Sequence, residues 1–198
     1  MSASVPTREV ARRAFATEFN DATYTFKESD DDRAPVYSLL PTGQRANRVF
    51  VAGTLTETED VGNDSEYWRG RIVDPTGTFF TYAGQYQPEA TSVLREAETP
   101  AYVTVVGKPR TYETDDGDVN VSLRPESISV VDDTTRNRWV VETAERTLDR
   151  IESFDGADEY AAMADTQYDP ELSTYRDGVI SALEDLEPEA DEELAAEA

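Results

Sequence analysis

Between residues 48 and 132, apolar and polar positions alternate with a period of two, whereas on either side the apolar spacing lengthens to three and four. The first long-period stretch predicts a helix over 7–19. Pro6 suits its start, and Val10, Ala11, Ala14, Phe15 and Phe19 form the apolar stripe. Asp30, Asp31 and Asp32 mark a solvated loop, and residues 36–40 read as extended up to the turn signal Pro41-Thr42-Gly43. In the period-two region strands are expected at 48–57, 67–74, 78–86, 101–110 and 119–132. Gly53 is expected to bend or bulge the first of them. Pro75-Thr76-Gly77 makes a hairpin of the second and third, and a short helix carrying Val93 and Leu94 follows Pro88. The loop between the fourth and fifth strands contains Asp115-Asp116-Gly117-Asp118, which reads as a β-turn rather than a calcium loop.

Helical spacing returns after residue 132. A helix over 135–154 carries Val141, Ala144, Leu148, Ile151 and Phe154, with Glu142, Glu145, Asp149 and Glu152 off that line. A short helix over 159–165 is followed by a third that opens near Pro170 and carries Leu172, Tyr175, Val179, Ala182, Leu183 and Leu186. Four parts follow: 1–47, an N-terminal helix and extended segment; 48–132, the barrel; 133–186, a helical region; and 187–198, an acidic tail expected to be disordered. Five strands with a short helix between the third and fourth is the order of an OB-fold barrel. The expected fold is therefore mostly β with α extensions, a five-stranded OB barrel flanked by an N-terminal helix and C-terminal helices.

Charge sharpens this picture. The chain holds 42 acidic residues against 18 basic ones, of which only Lys27 and Lys108 are lysines, for a net charge of −24. Such a skew fits a cytoplasm of concentrated salt, where carboxylates hold water and ions at the surface. Cys and His are both absent. That removes thiol nucleophiles, a histidine base, disulfides and Cys/His zinc sites, and no glycine-rich phosphate loop is present, so an enzyme is not expected and no cofactor is implied. No apolar run approaches the ~18 residues of a membrane span, and a cytoplasmic location is expected.

The candidate chemistry lies on the hairpin. Strand alternation puts Trp68, Ile72 and Phe79 on the core side, and Tyr67, Arg69, Arg71, Phe80 and Tyr82 on the other. A wall alternating guanidinium groups with flat rings suits single-stranded nucleic acid, because cations track phosphates and rings stack on unpaired bases of any identity. Lys108, Arg110 and Tyr112, at the exit of the fourth strand, form the expected second rim, joined by Arg124 from the fifth. The competing reading packs these rings under the flanking helices and pairs the arginines with carboxylates. For the stripe Val141, Ala144, Leu148, Ile151 and Phe154 two readings stand, docking on its own barrel or joining an intersubunit bundle with a partner.

Arg71-Ile72-Val73-Asp74-Pro75-Thr76-Gly77 is similar to the strand and turn of the middle subunit of replication protein A, and Gly107-Lys108-Pro109-Arg110-Thr111-Tyr112 resembles its strand-four exit. Pro41-Thr42-Gly43, Asn47-Arg48-Val49-Phe50-Val51-Ala52-Gly53 and Arg124-Pro125-Glu126-Ser127-Ile128 resemble the haloarchaeal replication protein A-associated proteins, over about residues 1–186. The resemblance implies an accessory subunit that binds single-stranded DNA in replication and repair beside a cognate replication protein A. In it Tyr112 takes the place of a stacking aromatic, and residues 135–154 that of a subunit-assembly helix. The middle subunit ends strand three with a tryptophan; here the stretch is Tyr82-Ala83-Gly84-Gln85-Tyr86, and Tyr86 substitutes if the register slips by two. Two other readings remain: a structural adaptor that assembles replication protein A without touching DNA, and an RNA-binding OB module.

Overall fold

The computed structural model describes residues 8–186, so the tail expected over 187–198 lies outside the described residues. Its centre is a barrel of β5 (Val49–Asp60), β6 (Trp68–Asp74), β7 (Gly77–Ala83), β8 (Ala101–Glu113) and β9 (Val119–Val130). The ladder runs β5-β6-β7-β9-β8, and β8 pairs back onto β5 to close it. The contact of β7 with β9 is parallel and brief, Thr81 against Leu123, and the Thr81 hydroxyl donates to the Leu123 carbonyl at 3.0 Å. With helix α2 (Pro88–Glu96) between the third and fourth strands, this is the OB-type barrel expected from the pattern. Val49, Val51, Leu55, Ile72, Phe79, Leu94, Val103 and Leu123 fill its interior.

Gly53 is not the bulge. It sits in an unbroken stretch of the β5–β8 ladder, where a Cβ would come within 2.5 Å of the Val73 carbonyl oxygen, so its role is close approach of two backbones. The irregularity in β5 falls between Leu55 and Glu57.

The N-terminal helix is shorter than the expected 7–19. The chain is extended through strand β1 (Arg12–Arg13), which pairs parallel with Val49 and Phe50 of β5. Helix α1 spans only Ala16–Asp21. Phe15, at its N-cap, offers no side-chain acceptor; the buried Asp74 supplies one from the β6–β7 turn, taking the Ala16 N–H at 2.6 Å. The other oxygen of Asp74 accepts from the Thr76 and Gly77 amides and the Thr76 hydroxyl, so one carboxylate closes the turn and starts the helix. Phe19 then inserts against Phe79 with ring centroids 5.8 Å apart. The spacing of Val10 with Ala14 resembles a helix, but Val10 is 72% exposed.

A second sheet joins β2 (Thr25–Phe26), β3 (Tyr37–Leu40) and β4 (Gln44–Ala46) in that order. Helix α4 (Glu159–Tyr168) lies against it, and the Tyr168 hydroxyl donates to the Leu39 carbonyl while accepting the Tyr24 N–H. Helix α3 (Asp133–Glu152) is capped by Asp132, which accepts the Thr135 N–H. It crosses the outside of β5 and β8, where Trp139 donates to the Phe50 carbonyl and meets Phe15 edge-on. Helix α5 (Leu172–Glu184) packs back along α3.

Candidate functional site

In the β6–β7 hairpin Arg69 is opposite Tyr82 and Arg71 opposite Phe80, with Gly70, Ile72, Phe79, Thr81 and Ala83 turned inward. Alternation therefore places the arginines and rings on the outer wall, as expected; Trp68 is only partly buried against the core. The Arg69 guanidinium lies 5.6 Å from the Phe80 ring centre, a diagonal contact on that wall. Tyr67 stacks on Tyr82 at 5.7 Å with planes 21° apart. Burial pushes the Tyr82 hydroxyl's pKa up, the nearby Tyr112 adds to this, and Arg69 opposes it. Tyr112, 47% exposed, is carried there by the β8–β9 arm, which runs on past the barrel as paired strands to Glu113 and Val119.

The helices meet these strands from other sides. Helix α1 sits at the turn, where Asn20 donates to the Thr78 carbonyl, and Leu94 of α2 lies under Gly70 from inside. Phe80 and Tyr82 are half-buried by their wall neighbours, and Tyr67 is 45% exposed. The arginines of the wall have partners: Arg69 pairs with Glu59 at 2.5 Å, and Arg71 donates to the Thr56 hydroxyl at 2.9 Å.

The remaining residues divide into two neighbouring clefts. Tyr86, 83% exposed, lies in the turn before α2 and shares a cleft with Arg124 and Glu126, rather than continuing the row of Phe80 and Tyr82. Lys108 and Arg110 line a second cleft with Arg33, Pro35 and Asn47. Lys108 is directly opposite Arg124 across the β8–β9 ladder, an unfavourable like-charge pair. Burial holds the Lys108 ammonium pKa below the ordinary lysine range, with Arg48, Arg124 and Arg110 adding repulsion and Glu126 opposing it. Burial and Arg110 act on Arg124 in the same direction.

One participant escaped the sequence reading, and a second was read there without its role. Arg48, bound to Glu126 at 2.8 Å, joins the cationic cluster from just before β5 and carries no local signal. Tyr67 precedes β6 and was legible only as a member of the outer face, whereas in the fold it is the stacking partner of Tyr82.

The proposed assembly stripe is divided. Ala144 and Ile151 are buried within the chain, Leu148 is partly buried against the same core, and Phe154 lies beyond the helix end beside Gly43. Val141 is 52% exposed. The buried line of α3 runs through Trp139, Val140, Thr143, Ala144, Thr147 and Ile151, rotated by about one residue from the stripe read in sequence. Two threonines and a tryptophan masked it.

No family model matches the chain, and no curated protein matches it. Several solved structures resemble part of it. The second single-stranded DNA binding protein (SSBb) from Mycobacterium smegmatis is 19% identical over 45% of this chain and 88% of its own, with a TM-score of 0.37. Asparaginyl-tRNA synthetase from Pyrococcus horikoshii is 20% identical over 42% of this chain and 19% of its own, with a TM-score of 0.36. OBody AM2EP06, bound to hen egg-white lysozyme, is 18% identical over 43% and 80%, with a TM-score of 0.37. At scores this low the likenesses carry no argument about function; the barrel is assigned from its own strand order.

Proposed function

We propose that this chain binds single-stranded DNA through the outer wall of β6 and β7, as an accessory subunit beside a cognate replication protein A in replication and repair. The observation that carries the reading is the wall itself. Tyr67 stacked on Tyr82, Arg69 over Phe80 and Tyr112 at the rim present ring faces and cations outside the core. Bases stack on such rings at ~1–3 kcal/mol each, whatever their identity. Lys108, Arg110 and Arg124, crowded together beyond Tyr112, are a cationic continuation that phosphates would relieve. The proposal is of a binding module, not an enzyme, working in a salt-rich cytoplasm.

The composition decides which contacts dominate. With a slope of about −0.7 per phosphate neutralised, three contacts lose about a thousandfold between ~0.1 M and ~3 M salt, whereas stacking is little affected. Affinity then rests on the rings, and the arginines orient the strand.

A second reading, the adaptor that assembles replication protein A without touching DNA, is favoured by the pairing of Arg69 with Glu59 and of Arg71 with Thr56. Titrating oligothymidine into the chain at 2–3 M KCl, with and without the cognate replication protein A, separates the two. Binding by the chain alone supports the proposal; association with the partner and no binding alone establishes the adaptor.

A further inference from the structure

The strand registers extend the outer wall past the hairpin on both sides. On one side Glu57 and Glu59 of β5 lie directly opposite Arg71 and Arg69 of β6, which in turn face Phe80 and Tyr82 of β7. On the other side β7 meets β9 at Thr81 and Leu123, both buried, so the next residues, Tyr82 and Arg124, turn outward. Across the β8–β9 ladder Arg124 is opposite Lys108, and Arg110 is the next residue of β8 on the same face. From β5 to β8 the wall therefore runs acid, cation, ring, cation, cation.

The two groups of cations are in opposite states. Arg69 is bound to Glu59 at 2.5 Å, and Arg71 donates to the Thr56 hydroxyl at 2.9 Å. The irregularity between Leu55 and Glu57 sets both Thr56 and Glu57 against Arg71. Lys108, Arg110 and Arg124, by contrast, form no ion pair among the described residues. Glu126, whose charge reaches Lys108 and Arg124, is itself bound by Arg8 and Arg48. In a chain with 42 acidic residues and 18 basic ones, three neighbouring cations without a carboxylate of their own are the exception.

We propose that Glu57 and Glu59 form an acidic border that keeps phosphates off β6. The sugar–phosphate chain then follows β9 and β8 over Lys108, Arg110 and Arg124, while its bases reach the rings of β7. The inference rests on the reading of this wall as a single-strand site, and it specifies which cations serve that site. A phosphate at Arg69 would only exchange one anion for another, since Glu59 already neutralises that guanidinium. A phosphate at Lys108 and Arg124 instead relieves a like-charge pair and releases counterions. Neighbouring strands are ~4.8 Å apart, which sets the border roughly 14 Å from Arg124 along the sheet. That exceeds the Debye length of ~8 Å at ~0.15 M salt, so the border guards β6 without weakening the cations of β9 and β8.

The test follows fluorescein-labelled oligothymidine by anisotropy on the full chain between ~0.3 M and ~2 M KCl, with folding of each variant checked by circular dichroism. Glu57→Gln with Glu59→Gln is expected to raise affinity at least threefold at ~0.3 M and to steepen the salt slope by about 1.4, since each freed arginine adds about 0.7. Adding Arg69→Gln and Arg71→Gln is expected to cancel that steepening. Lys108→Gln with Arg124→Gln is expected to lower affinity at least tenfold at ~0.3 M and to make the slope shallower by about 1.4. Removing the same two charges elsewhere, by Glu145→Gln with Glu152→Gln at exposed positions of α3, is expected to move affinity less than twofold. If the native chain binds but the border variant matches it, or matches the α3 variant, the inference is overturned and the DNA reading stands. A slope indifferent to Lys108 and Arg124 overturns it in the same way. No binding by the native chain at either salt overturns both.

Discussion

Phe80 and Tyr82 each face an arginine across the hairpin, and salt weakens the phosphate contacts of the arginines while leaving ring stacking little changed. Replacing both rings, Phe80→Ala with Tyr82→Ala, is expected to weaken oligothymidine binding at 2–3 M KCl by at least tenfold. Arg71→Ala is expected to change it less than threefold under the same conditions. Fluorescence anisotropy checks the ranking, and the reverse order would show that phosphate contacts dominate. A second residue-scale test concerns Arg150 and Glu18, whose buried pair at 2.7 Å joins α3 to α1. Breaking it from one side leaves a charge in the core, so Arg150→Met is expected to lower unfolding stability by ~3–5 kcal/mol. Adding Glu18→Gln is expected to return part of that loss, as read from urea midpoints.

At the scale of elements, Tyr168 ties α4 to the small sheet. Burial pushes its hydroxyl up to about 12, against ~10 for a free phenol. The folded state therefore holds this proton more tightly than the unfolded chain. Its contribution is complete below pH ~10 and is lost as pH rises through about 12. Thermal melts across that window are expected to decline more steeply for the native chain than for Tyr168→Phe. Helix α3 offers another test, since Ile151 is buried and Val141 is not. Ile151→Asp is expected to unfold the chain, whereas Val141→Asp leaves its melting within a few degrees.

The elements also show what the sequence made legible. The β6–β7 hairpin could be read because each strand has one buried face and Pro75-Thr76 permits a two-residue turn, so parity alone assigned Arg69, Arg71, Phe80 and Tyr82 to the outside. The start of α1 could not, because its N-terminal acceptor is Asp74, 58 residues away. The α3 stripe came out rotated because its buried line includes Thr143 and Thr147 and is anchored by Trp139 on a backbone carbonyl. Tyr86 has a neighbour in sequence but not in space, since the turn before α2 carries it into the Arg124 cleft.

For the whole molecule, the net charge of −24 sets the solution behaviour. Its carboxylates repel over a Debye length that shrinks from ~30 Å at 0.01 M salt to ~3 Å at 1 M. Melting temperature is expected to rise with KCl across that range, and a flat profile would count against adaptation to salt. The same charge makes the placement of cations informative. Tyr67, Phe80 and Tyr82 share one wall with two arginines, and further cations gather beyond Tyr112. The most direct test of the wall is photocrosslinking of 5-bromodeoxyuridine-substituted oligothymidine to the full chain at 2 M KCl, with mass spectrometry of the adducts. The account predicts adducts on Tyr67, Phe80, Tyr82 or Tyr112. Adducts confined to other surfaces, or none at saturating oligonucleotide, would contradict it.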